Sequence, residues 1–147
     1  MKILGIIMAF MISTTPWQGN FNNAAVEATR EHKLILINFS GSDWCGPCIR
    51  LTKEIFQSQT FEDYASKNLV LVRADFPRQK KNQLDAEQTK LNDALADKFN
   101  SNGTFPLTLL VDENGKILKE WDGFPNESPA NFVSEINSIM HAKSSGQ

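Results

Sequence analysis

The chain has 147 residues, with 15 Lys and Arg against 17 Asp and Glu and a net charge of −2. That length fits one domain that buries its core without disulfide staples, and 41% hydrophobic with 22% charged residues excludes an intrinsically disordered chain. The near-neutral charge balance argues against non-specific nucleic-acid binding, which needs an extended basic surface. Two cysteines exclude a disulfide-dense scaffold and a four-cysteine zinc site, and no apolar run reaches the roughly 18–20 residues of a membrane-spanning helix.

In chain order, Met1–Ile12 (MKILGIIMAFMI) place one Lys ahead of an apolar stretch that ends at Ser13-Thr14-Thr15. This is the pattern of a secretory signal peptide. Residues 1–20 are therefore set aside as an export signal, residues 21–143 form the domain, and residues 144–147 are a frayed tail. A buried first strand and an uncleaved short anchor are the alternatives for the first segment. Asn22-Asn23 predict the N-cap of a short helix over AAVEATREHK. Lys33–Phe39 (KLILINF) predict a strand buried on both faces, and Ser40–Asp43 a turn. Cys48, Leu51 and Ile55, widened by Thr52 and Phe56, mark the buried face of a helix from Cys45 to about Gln57. Thr60–Lys67 add helix, and Leu69–Ala74 a second buried strand.

Phe76–Gln83 carry Arg78, Lys80 and Lys81 and read as an exposed, mobile loop with a solvated basic surface. Asp85–Phe99 form a helix with Leu84, Leu91, Leu95 and Phe99 on one side, and Ser101-Asn102-Gly103 end it. Leu107–Val111 are a third strand. Asn114-Gly115 predict a type I′ hairpin turn into a return strand, Ile117–Trp121. Ser128-Pro129 start the last helix, whose inward residues are Phe132, Val133, Ile136, Ile139 and Met140. The order predicts an α/β layer, mostly parallel, with the hairpin adding an antiparallel edge.

Trp44-Cys45-Gly46-Pro47-Cys48 sits where a buried strand gives way to a helix. With Pro106 opening a later strand and Gly123 following the hairpin, this pentapeptide resembles the active site of the thioredoxin family. FSGSDWCGPCIRL looks most like the exported bacterial members. The resemblance spans roughly residues 22–142 and implies a thioredoxin-like fold, a central mixed sheet of about four strands flanked by helices. It implies a cis bond at Pro106 and a docking surface formed by Phe105 and the region of Gly123. It also implies a redox-active Cys45–Cys48 pair with no other cofactor and no metal.

The residue types fit that chemistry. A thiol at a helix N-terminus faces unpaired N–H groups and the positive end of the helix dipole, which favour the nucleophilic thiolate. Cys48 is close enough in sequence to close a small disulfide ring. Gly46 leaves room for a partner chain, Pro47 suits a first helical turn, and Trp44 offers an apolar flank. Asp43 reads as a turn former; Trp17 and Trp121 read as structural. His32 and His141, in the first and last helices, are the remaining ligands that a metal site on the two cysteines would need.

Where the family carries a buried Asp beneath the second cysteine, this chain has Asn38, which is no base at neutral pH, with one additional residue before the motif. Arg73 falls near a position where the family often has a Lys. The Cys48 proton is expected to pass through water or through another carboxylate, with Asp75 a candidate. The Gly-Pro dipeptide resembles the reducing members. The expected activity is thus that of an exported, periplasmic, monomeric thiol:disulfide oxidoreductase that reduces disulfide-containing proteins and is itself supplied by a membrane thiol-transferring reductant. The alternatives are a thiol oxidase or isomerase, and a thioredoxin-fold module that binds a partner or delivers a metal.

Overall fold

The computed structural model describes residues 15–146; the apolar run that reads as an export signal lies outside them, up to its polar end. The elements are β1 (Trp17–Gln18), α1 (Phe21–Glu31), β2 (Leu34–Ser40), α2 (Gly46–Leu51) continuing as a π turn (Thr52–Phe56), α3 (Gln59–Asn68), β3 (Leu69–Asp75), a 3₁₀ turn (Lys80–Asn82), α4 (Ala86–Phe99), β4 (Leu107–Val111), β5 (Ile117–Asp122) and α5 (Pro129–Ser145).

The strands form one sheet in the order β1-β3-β2-β4-β5. β2 is its centre, parallel to β3 and antiparallel to β4. All seven residues of β2 are buried, which is why its sequence is a run of Leu and Ile and does not alternate. Its side chains still alternate between faces. Leu34 and Leu36 join Leu51, Ile55, Phe61, Phe132 and Ile136 on the side of α2, α3 and α5. Ile35, Ile37 and Phe39 join Ala24, Ala28 and Leu95 on the side of α1 and α4. The result is a three-layer α/β/α sandwich. Each fully buried Leu, Ile or Phe contributes about 1.5–3 kcal/mol, and β2 feeds both cores, so the segment that carries the two cysteines leaves from a strand buried along its whole length.

Several expectations are corrected. The sheet has five strands, because Trp17–Gln18 pair with Leu71–Val72; these residues lie inside the first twenty that the sequence sets aside. The sheet is not mostly parallel: β2–β4 and β4–β5 are both antiparallel, since the connection through α4 enters β4 at the same end of the sheet at which β3 leaves it. α1 is capped by Asn20, whose side chain accepts the Asn23 N–H, earlier than Asn22-Asn23 suggest. Phe21 packs edge-on against Phe99, and this contact draws the first turn back. Leu84 precedes the Asp85 cap and is exposed. The inward polar residue of α4 is Asn92, which donates to the Asp75 carbonyl.

The hairpin turn is not type I′. The Asp112 carboxylate accepts the N–H groups of Asn114 and Lys116, leaving Gly115 alone in the left-handed region at φ 81°. Finally, α5 runs on to Ser145, into the stretch read as tail from residue 144, and Lys143 pairs with Glu113 at 3.1 Å.

Candidate active site: the Cys45–Cys48 disulfide

β2 ends at Ser40, and Gly41 to Trp44 turn the chain into α2. Gly41 is required here by close approach: a Cβ on it would lie 2.3 Å from the Trp44 indole. Cys45 is the N-cap of α2, in extended backbone, and its Sγ accepts the Cys48 N–H at 3.3 Å. Cys45 and Cys48 are joined as a disulfide, with Cα atoms 5.2 Å apart. The Cys48 Sγ accepts a second N–H, from Gly41 at 3.5 Å. Each sulfur therefore faces a backbone donor, which stabilises a thiolate more than a neutral thiol.

The pair is largely enclosed, Cys45 being 5% and Cys48 2% exposed. Gly46 and Pro47 between them are exposed. A Cβ on Gly46 would meet nothing within 4 Å, so a partner chain has open space in front of the disulfide. Beyond Leu51 the helix widens into a π turn, which lets both Ile55 and Phe56 enter the core.

On one side stands Trp44. Its Nε1–H donates to the Phe76 carbonyl at 2.7 Å, its ring meets Phe105 edge-on at 5.6 Å, and the Arg78 guanidinium covers it at 3.6 Å. Phe105 also packs against Phe76. The Phe105–Pro106 peptide is cis. Gly123, at φ 82°, donates its N–H to the Pro106 carbonyl at 2.9 Å, so two positions far apart in sequence are tied together beside the cysteines' strand. Next to Gly123, Phe124 lies under Arg50 of α2.

Neither Asn38 nor Asp75 hydrogen-bonds to a cysteine sulfur among the described residues. Asn38 is 2% exposed; its amide donates to Thr108 Oγ1 at 3.1 Å and its carbonyl accepts from Arg73 Nε at 3.3 Å. The Asp75 carboxylate is taken up by the backbone N–H and hydroxyl of Ser42. Among the described residues, the hydrogen bonds to the two sulfurs come from backbone N–H groups, not from either side chain. Burial pulls the Arg73 guanidinium below its ordinary value, with the charge of Asp75 opposing. Arg73 stacks on Trp17 at 4.2 Å.

The sequence reading missed two further residues. Asp43 is more than a turn former: its carboxylate accepts the N–H groups of Arg78 and Gln79, both at 2.9 Å, and the side-chain amide of Asn82. These bonds, that of Arg78 foremost, lower its pKa below the usual aspartate value. Arg78 is the second, since the loop expected to be mobile is pinned to the residue two before Cys45. No spacing rule reveals this, because the partners are 35 residues apart. His32 caps α1 and His141 lies in α5. Among the described residues, no three His, Cys, Asp or Glu side chains group as metal ligands.

Residues 21–138 match the family model described as thioredoxin-like domain. The chain is 34% identical over 124 residues to the disulfide bond reductase DsbH of Chlamydia pneumoniae, covering 84% of this chain and 72% of that protein. It is 26% identical to the thioredoxin-related protein DsbJ of the same organism, covering 87% of this chain but 36% of that longer protein. A solved structure described as DsbH oxidoreductase superposes with a TM-score of 0.79 at 30% identity, covering 95% of this chain and 94% of the other. Proteins of this kind act through a redox-active disulfide and take no cofactor. With its Cys45–Cys48 disulfide at the head of α2, the chain belongs to the thioredoxin-like domain family and is a thiol–disulfide oxidoreductase.

Proposed function

We propose that the protein is an exported reductase of protein disulfides, with Cys45 as nucleophile and Cys48 as resolving thiol. The observation that carries this reading is the position of Cys45: an N-cap thiol that accepts the Cys48 N–H, in front of an exposed Gly46-Pro47. In the reduced protein the Cys45 thiolate attacks one sulfur of a substrate disulfide. The substrate S–S bond breaks, its second sulfur leaves as a thiolate, and a mixed disulfide forms. Cys48 loses its proton and attacks Cys45, the mixed S–S bond breaks, and the substrate departs as a dithiol. Two electrons pass to the substrate and the protein is left as the Cys45–Cys48 disulfide. Water takes the Cys48 proton in this reading: Asn38 has no basic atom, and the hydrogen bonds to the two sulfurs come from backbone N–H groups.

Trp44, Gly46, Pro47 and Pro106 frame the reacting sulfurs, and Phe105 and Gly123 border the surface on which an extended substrate lies. The reducing direction is supported by the Gly-Pro dipeptide and by the reductase name of the Chlamydia relative. Export is supported by the Met1–Ile12 pattern. A reductant in an oxidising compartment needs an electron supply, and a membrane protein that passes on thiol electrons fills that role.

Two measurements test the reading. Cys48→Ser is expected to accumulate mixed disulfides on Cys45 when offered an oxidised protein, and Cys45→Ser to accumulate none. The reduction potential is expected near −270 mV, as for thioredoxin, and a value of about −120 to −180 mV would instead assign the protein to thiol oxidation or isomerisation.

A further inference from the structure

The loop from Phe76 to Gln83 holds three cations, Arg78, Lys80 and Lys81, in a chain whose net charge is −2. None of the three takes part in the ion pairs found among the described residues. The carboxylates at the base of the loop are turned onto other donors, Asp43 onto the N–H groups of Arg78 and Gln79, and Asp75 onto Ser42. The cations are exposed, while the loop backbone is held by Asp43 and by a 3₁₀ turn at Lys80–Asn82. Arg78 is the most specifically placed. Its guanidinium carbon lies over Trp44, 3.6 Å from the ring centre, and among the described residues its backbone N–H is the one group of Arg78 that donates a hydrogen bond. A guanidinium fixed by stacking with its edge donors unused presents the fork that a carboxylate binds through two parallel bonds.

This fork lies beside the residue that precedes Cys45. A chain approaching from this side meets the guanidinium before it meets the indole. The edge-on contacts among Trp44, Phe105 and Phe76 carry the same wall to the residue before Pro106.

We propose that the Arg78–Lys81 loop selects substrates: it favours disulfide-bearing polypeptides with Asp or Glu within a few residues of the cysteine that Cys45 attacks. The proposal rests on the reductase reading above and names its substrate class. Charge complementarity at a rim acts mainly on the rate of encounter and is screened by salt.

The test uses synthetic peptides matched in length, with the cysteine flanked by Glu, Gln or Lys. Equilibrium binding of the Cys→Ser peptides to the oxidised protein, followed through the backbone amides of residues 76–83 by NMR, reads docking without exchange. Rates of reduction of the disulfide-linked peptides read the chemistry. The Glu peptide is expected to bind and react about fivefold better than the Gln peptide at low salt, and the advantage to shrink severalfold between about 20 and 300 mM salt. Lys80→Gln/Lys81→Gln with Arg78→Gln is expected to bring the ratio near one, and Lys80→Glu/Lys81→Glu to turn the preference toward the Lys peptide. Equal binding of Glu and Gln peptides overturns the proposal, as does a preference that survives the triple substitution or amide shifts produced by anionic lipid vesicles alone. Selective binding without reduction of any peptide leaves the docking surface standing and overturns the reductase reading.

Discussion

Asp43 determines more of the site's shape than its place in a turn suggests. Its carboxylate holds the backbone of Arg78 and Gln79, and these bonds depress its pKa. A depressed carboxylate pKa stabilises the folded arrangement above the unfolded value, about 4 for aspartate, and that contribution is lost as the pH falls toward the lower, folded value. The loop amides of Arg78 and Gln79 are therefore expected to be protected from hydrogen exchange above about pH 4 and to lose protection below it. Asp43→Ala is expected to raise their exchange about tenfold at neutral pH and to change Trp44 fluorescence as Arg78 leaves the ring.

Asn38 makes a different contribution, linking Thr108 to Arg73 in a buried chain of polar contacts. Asn38→Ala leaves the buried Thr108 and the half-buried Arg73 without this partner and is expected to cost about 2–3 kcal/mol in urea unfolding. Asn38→Asp keeps an acceptor for Arg73 and is expected to cost less.

Among the elements, β1 is the shortest and the least visible in the sequence. Two residues make no strand pattern, yet Trp17 packs on Phe56 at 5.0 Å and under Arg73 at 4.2 Å. It closes the sheet beside β3 and covers the end of the π turn that continues the cysteine helix. Trp17→Ala is expected to lower stability by about 2 kcal/mol, read as a drop in the urea midpoint with an unchanged slope. A chain starting at Gly19 is expected to lose at least as much as the substitution, and one starting at Thr15 to lose nothing. The same contacts bear on export: cleavage as late as residue 20 would remove a strand that the domain uses.

At the scale of the whole molecule, the disulfide is a minor staple. Closing a four-residue loop removes about 2 kcal/mol of unfolded-state entropy, against cores on both faces of the sheet that are filled by Leu, Ile and Phe. Reduction with dithiothreitol is expected to lower the melting temperature by about 5 °C and to leave the fold intact. A larger loss would mean that the cysteines hold the structure together as well as carrying its chemistry. The division of labour is physical: the sandwich supplies rigidity, and the sheet's central strand delivers Cys45 to the surface at a fixed angle.

How much of this was legible in the sequence follows from range. Local patterns sufficed where the cause is local. The Leu–Ile run of β2, the Ser128-Pro129 start of α5 and the Trp-Cys-Gly-Pro-Cys pentapeptide each place their element, because burial on both faces, helix capping and a small disulfide ring are properties of a few neighbouring residues. Local patterns failed where a distant group decides. The Asp112 side chain replaced the expected type I′ turn, Phe99 drew the start of α1 back to Phe21, and Trp17 became a strand because β3 offered it an edge. The pinned loop over Trp44 belongs to the same class. What the sequence determined by itself was the redox-active cysteine pair, because Trp-Cys-Gly-Pro-Cys at a strand-to-helix junction is a local pattern that resembles the thioredoxin family. What tertiary structure alone decided was the surroundings of those thiols, the Asp43 tether, the Arg78 cap and the tie between Gly123 and Pro106, because each joins residues whose separation along the chain carries no periodic signal.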